Sequence, residues 1–214
     1  MMKAVLFDLD GTLLDTSDGI KHSVRYTLNQ MGHEELPDEV LLKFVGPPIQ
    51  NSLMMYCAYN KEDAQEGANI FRDFYKSNAL FEATLYEGVI GLLDNLKNRG
   101  IKIGVATYKR EDYAIDLLRY FHIDTYCNII HGADNDNKLT KADIVEKCIR
   151  ELYEDKGKNV LVGDTEYDAI GAMNAGVDFI GVTYGFGFHT EADVNKYPNI
   201  GCANTAYDIL KIIG

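Results

Sequence analysis

Basic residues are scarce in this chain: 21 lysines and arginines stand against 33 aspartates and glutamates over 214 residues, a formal net charge of −12. That deficit excludes a broad nucleic-acid or anionic-membrane footprint, because repulsion would oppose docking. Any phosphate ligand has to be small and locally neutralised. Cysteine is sparse too. Cys57, Cys127, Cys148 and Cys202 lie far apart without a CxxC pair, so neither a disulfide framework nor a zinc cluster is expected. They read as buried or half-buried thiols in a reducing compartment. No apolar run approaches the length that crosses a bilayer, and the N-terminus passes straight into a strand pattern instead of a signal sequence, so a cytoplasmic protein is expected. With 46% hydrophobic and 25% charged residues, what remains is ordinary for a globular protein that buries a full core.

Strand-like runs recur at "KAVLFD", "IKIGVAT", "CNIIHG", "NVLVGD" and "DFIGVT", separated mostly by helical patterns. Strands alternating with helices imply crossover connections and a parallel sheet. A helix is expected from about Val89 to Arg99, with Leu92, Leu93 and Leu96 on one face and Gly100 at its end. Another carries Ile144, Val145, Cys148, Ile149 and Leu152, with Thr140 and Asp143 as a capping box. The stretch from about Thr16 to Phe81 contains no convincing strand and reads as three or four helices, inserted directly after the first strand. In it Ile20, Val24, Leu28 and Met31 recur at helical spacing and Pro48 stands near a helix start.

The first strand ends in two aspartates, Asp8 and Asp10, with no spacer after its apolar run. In an open α/β sheet that position hosts chemistry. "LVGDTEYDAIGAMNAG" repeats the device, with Asp164 at the end of a strand and Asp168 one helical turn further. Four carboxylates converging from two strand ends would repel one another unless a divalent cation sat among them, and Mg²⁺ suits oxygen ligands and exchangeable waters. The plainer alternative is that Asp164 caps a helix.

"DLDGTLLDT" together with "VGDTEYD" resembles the haloacid dehalogenase-like superfamily, specifically its phosphatases with a helical cap, similar to phosphoglycolate phosphatase-like hydrolases. The likeness extends over essentially the whole chain, including the "YGFG" at Tyr184 to Gly187. It implies a three-layer Rossmann-like α/β core with a central parallel sheet, formed by residues 1–15 and 82–214, and an inserted all-helical cap, residues 16–81. It implies that Asp8 attacks phosphorus and that Asp10 serves as general acid and base while its carbonyl binds Mg²⁺. Bottom-up chemistry agrees: a carboxylate can form an aspartyl-phosphate, and a neighbouring carboxyl can protonate the leaving oxygen. Thr107, after the strand "IKIGVAT", matches the family's second motif, although a helix N-cap explains a threonine there equally well. Tyr108 follows it where relatives carry a small polar residue.

For the lysine the family requires, "NDNKLTKADIVEKC" offers Lys138 and Lys141. Lys141 is favoured. It falls in the first helical turn, where the dipole disfavours a cation by about 0.3–1 kcal/mol, so a phosphate and Asp8 would compensate. Relatives place their lysine before a similar "ADIV" helix. Substrate choice is expected in the cap and around the mouth, from Gly46, Pro47 and Tyr108 among others.

The expected activity is therefore Mg²⁺-dependent hydrolysis of a small phosphorylated metabolite, with no nucleic-acid or membrane partner. A sugar-phosphate phosphomutase of the same superfamily and a non-catalytic phosphate-binding module are the alternatives. A dehalogenase is disfavoured by Asp10.

Overall fold

The computed structural model of the protein describes residues 2–134, 138–152 and 156–214. Along the chain it begins with β1 (Ala4–Phe7) and β2 (Leu14–Asp15), followed by the helices α1 (Ser17–Gln30), α2 (Asp38–Leu41), α3 (Ile49–Cys57) and α4 (Lys61–Phe74). Next come β3 (Thr84–Leu85), α5 (Val89–Asn98), β4 (Lys102–Arg110), α6 (Glu111–Tyr120), β5 (Ile129–Ala133) and α7 (Lys141–Leu152). The C-terminal part holds β6 (Asn159–Gly163), α8 (Glu166–Ala175), β7 (Asp178–Val182), α9 (Glu191–Val194), β8 (Gly201–Ala203) and α10 (Ala206–Ile213). Two compact units result, Met1–Leu14 with Leu85–Gly214, and Asp15–Thr84.

The first unit is built on a six-stranded sheet in the order β5-β4-β1-β6-β7-β8. Its pairings are parallel, with Ala4 of β1 opposite Lys102 on one side and Asn159 on the other. Every residue of β1 and β6 is buried, as expected of parallel strands covered on both faces. From β1 the chain steps outward to β4 and β5, then returns to β6 and steps the other way to β7 and β8. Right-handed crossovers in opposite directions put α5 and α6 on one face of the sheet and α7 and α8 on the other. Ala4, Leu6, Leu161 and Phe179 pack with Val145, Ile149, Ala169 and Ala172 of α7 and α8. The reversal falls between β1 and β6, so their carboxyl ends flank the crevice where ligands of such sheets bind.

The second unit is helical apart from its two ends, where Asp15 belongs to β2 and Thr84 to β3. Ile20, Val24 and Leu28 of α1, Leu53 of α3, and Ala64, Ala68 and Phe71 of α4 are buried. Gly32, at φ 67°, lies just past α1, and Met31 serves as its C-cap. Asn60 caps α4, its side chain accepting the N–H groups of Glu62 and Asp63 at 2.8 and 2.9 Å. All four thiols are free, Cys57 and Cys148 buried, Cys127 and Cys202 half-buried. Among the described residues no helix is long and apolar enough to cross a membrane.

The Asn60 cap is expected to matter for stability. Asn60→Ala leaves two orphan donors at the start of α4 and should cost about 1 kcal/mol, read as a melting temperature lowered by a few degrees.

Candidate active site

Two chain reversals at neighbouring strand ends create the site. After β1, Asp8 remains in register with the sheet through its N–H to the Val162 carbonyl at 2.9 Å. The chain then turns tightly, with the N–H groups of Thr12, Leu13 and Leu14 converging on the Leu9 carbonyl. Gly11 makes that turn possible at φ 84°, where a Cβ would also stand 2.3 Å from Asp164 Oδ2. After β6, Asp164 precedes Thr165, and Thr165 rather than Asp164 caps α8. The capping alternative for Asp164 is thereby removed. Its side chain is instead fully buried, with Oδ2 accepting the Phe186 and Gly187 N–H groups at 2.7 and 3.3 Å. Asp164 Oδ1 is buried and has no hydrogen-bond partner among the described residues.

Lys141, the first residue of α7, lies under the sheet's carboxyl end at 3% exposure. Its Nζ stands 2.6 Å from Asp8 Oδ1 and 2.6 Å from Asp168 Oδ1. Asp168 closes the capping box of α8 with its other oxygen, which accepts from Thr165 N–H and Oγ1 at 3.0 and 2.6 Å. Gly171, one turn further along α8, makes room for the lysine stem, since a Cβ there would meet Lys141 Cγ at 2.5 Å. Tyr108 accepts the Lys141 backbone N–H on its hydroxyl at 2.9 Å, and its ring centroid lies 5.7 Å from Nζ. Lys138, the other lysine of that segment, lies ahead of α7, its N–H bound to Asp134 Oδ1 at 3.0 Å.

Thr107 is buried on β4, and the helix beyond is capped by Arg110, so Thr107 is not an N-cap. Its Oγ1 accepts the Lys109 N–H at 3.1 Å. Lys109 itself was not singled out from the sequence. Its ammonium reaches Asp10 at 3.0 Å from Oδ1 and 3.2 Å from Oδ2, with both side chains only 6% exposed. The available signal was a lysine two residues beyond Thr107 at a strand end, indistinguishable there from a surface cation. Gly46 and Pro47 belong to the helical unit, both half-buried in the bend before α3, with Gly46 at φ 97°.

Among the described residues, Lys141 thus pairs with Asp8 and Asp168 and Lys109 with Asp10, while the fourth buried carboxylate, of Asp164, is held by backbone amides. Burial pushes the Asp8 carboxyl up to about 7, with the Asp168 and Asp10 charges adding to the rise and Lys141 opposing it. Asp164 is likewise held well above the ordinary carboxylate range by burial and by Asp168 and Asp8. Burial alone would lower the Lys141 ammonium, but the flanking Asp168 and Asp8 outweigh it and keep that lysine protonated. Carboxylate oxygens of Asp8, Asp164 and Asp168 all lie within 4.8 Å of one another. Surplus negative charge, hard oxygen donors and an orphaned Asp164 oxygen together fit a divalent cation.

Residues 5–182 match the haloacid dehalogenase-like hydrolase family. The chain is 35% identical over 207 residues to a 5'-nucleotidase of Pseudomonas aeruginosa, an alignment covering 94% of this chain and 91% of that one. It is 27% identical over 217 residues to the pyrophosphatase PpaX of Halalkalibacterium halodurans, covering 100% and 97%. The crystal structure of a predicted phosphatase from Clostridium acetobutylicum matches with a TM-score of 0.91 at 36% identity over 99% of both chains. The chain belongs to the haloacid dehalogenase-like hydrolases, among their phosphatases with a helical cap.

Proposed function

We propose that the protein is a Mg²⁺-dependent phosphomonoester hydrolase that cleaves a small phosphorylated metabolite, nucleotide-like or phosphoglycolate-like, through an aspartyl-phosphate on Asp8. The observation that carries this reading is the buried pair of Asp8 and Lys141 at 2.6 Å beside an Asp164 oxygen that has no partner among the described residues. The nucleotidase and pyrophosphatase names of its relatives support the substrate class.

Asp8, Asp164 and the Asp10 carbonyl are assigned to the cation, with Asp168 completing the acidic set while its own oxygens hold Lys141 and Thr165. When bound, Mg²⁺ supplies charge neutralisation for the phosphoryl oxygens. In the first step an Asp8 oxygen bonds to phosphorus as the ester P–O bond breaks, and the departing oxygen takes a proton from the Asp10 carboxyl. In the second, Asp10 takes a proton from water, whose oxygen attacks phosphorus and breaks its bond to Asp8, releasing inorganic phosphate. Lys141 stays charged throughout and faces both Asp8 and the transferring group. Lys109 fixes the orientation of Asp10. Because Thr107 Oγ1 already accepts from Lys109 N–H, its proton is available for a phosphate oxygen. Within the sheet-bearing unit, substrate choice is assigned to Tyr108, whose hydroxyl accepts the Lys141 N–H.

Asp8→Asn is expected to lower turnover of p-nitrophenyl phosphate by at least about 10³-fold while the protein melts no earlier than wild type. Near-normal turnover in that variant would refute the nucleophile assignment.

Asp164→Asn separates stability from function. In EDTA the folded wild type binds protons more readily than the unfolded chain, because Asp8 and Asp164 titrate above their ordinary range. Charge at this site therefore destabilises the fold at high pH, and for Asp8 the penalty fades progressively as pH falls from about 7 towards the ordinary carboxylate value of 3.8. The variant should melt higher than wild type in EDTA, by about 1–3 kcal/mol of stability, and show a weaker dependence on pH. It should gain no melting temperature from MgCl₂, whereas wild type does. A wild type indifferent to MgCl₂ would sink the cation assignment.

A further inference from the structure

Between β7 and α9 the segment Tyr184–Gly187 has no regular structure, and none of its side chains enters the steps above. Its backbone nevertheless wraps Asp164. Two consecutive amides, of Phe186 and Gly187, converge on one carboxylate oxygen, Oδ2, at 2.7 and 3.3 Å, and the Phe188 N–H takes the Asp164 main-chain carbonyl at 2.7 Å. The other oxygen, Oδ1, receives nothing from the described residues.

Glycines make the approach possible. A Cβ at Gly185 would stand 2.3 Å from the Gly11 carbonyl oxygen and 2.5 Å from Asp164 Cβ and Oδ2, and one at Gly187 would stand 2.5 Å from the Asp164 carbonyl. The nearest obstacle in each case is a backbone oxygen, which cannot rotate aside as the end of a flexible side chain can. At its other end the segment is tied to the turn that follows Asp10, because the Tyr184 hydroxyl donates to the Thr12 carbonyl at 3.1 Å. The Tyr184 ring rests against Tyr86, with centroids 4.9 Å apart.

The terminal torsion of an aspartate is broad, so a carboxylate left to itself samples many orientations. Two amides on one oxygen remove that freedom. We propose that Tyr184–Gly187 is a positioning strap: the Phe186 and Gly187 amides pin Asp164 Oδ2, and the Tyr184 hydroxyl pins the Thr12 carbonyl. Asp164 Oδ1 and the Asp10 turn are thereby presented in one arrangement before any cation or phosphate arrives. The strap contributes by preorganisation, with no contact to the reacting atoms. This inference rests on the reading of Asp164 as a cation ligand.

The test measures Mg²⁺ affinity separately from catalysis. Metal-free wild type, Gly185→Ala and Tyr184→Phe are titrated with MgCl₂, and the half-saturating concentration is read from the rise in melting temperature. Hydrolysis of p-nitrophenyl phosphate is then measured at saturating Mg²⁺. Gly185→Ala is expected to raise the half-saturating concentration about 10–100-fold. Tyr184→Phe keeps the ring and loses one hydrogen bond, so a rise of about threefold is expected, with kcat reduced about tenfold and KM unchanged. Circular dichroism in EDTA establishes that each variant is folded, and where Gly185→Ala does not fold, Tyr184→Phe decides alone. Folded variants with wild-type Mg²⁺ affinity and wild-type kcat overturn the strap while leaving the cation assignment intact. A wild type that takes up no Mg²⁺ overturns the cation assignment, and the strap with it.

Discussion

The arrangement depends on one charge held between two others, the Lys141 ammonium buried against Asp8 and Asp168. Taking charges out of water costs more than an ion pair usually returns, and here the acids outnumber the bases. A fold selected for stability alone would replace such a cluster with apolar side chains. Keeping Asp8 and Asp164 charged against burial stores an unfavourable interaction that the proposed cation would relieve, the pattern that marks functional sites.

Much of the surrounding structure reads as accommodation of that cluster. The sheet order brings the ends of β1 and β6 side by side, and the packing of α7 on α8 brings Lys141 to Asp168. Glycines clear the space. A Cβ at Gly163 would fall 2.3 Å from Asp168 Cγ, and Gly11, Gly171 and Gly185 play the same part around Asp164 and Lys141. Each relinquishes side-chain packing and adds backbone freedom to the unfolded chain, a cost offset only by what it lets the acids do.

Legibility in the sequence followed the strength of the local signal. The five apolar runs became β1, β4, β5, β6 and β7, because strands buried on both faces carry a continuous apolar pattern. β8 escaped notice, since "GCA" is three residues with a glycine and no run to detect. The two-residue strands β2 and β3 are equally silent. Asp8, Asp10 and Asp164 announced themselves as acids directly after apolar strands. Lys109 did not. Its approach to Asp10 depends on β4 continuing to Arg110 through the irregular register between Ala106 and Arg110, which nothing in "TYKRED" encodes visibly. The strap was noticed only as a likeness, because its contribution is made by backbone amides, and these have the same chemistry in every residue.

By itself the sequence determined which groups were available: alternating strands and helices, acids at strand ends, a lysine opening a helix, and glycines beside the acids. It could do so because hydrophobic periodicity and the chemistry of side chains are local properties. Only the tertiary structure decided which oxygen of Asp164 is satisfied and which is left bare, that Asp168 shares Lys141 with Asp8, and that Lys109 answers Asp10. Those facts arise from distances between residues far apart in the chain, and the crossovers and close glycine contacts that set them exist only once the sheet has formed.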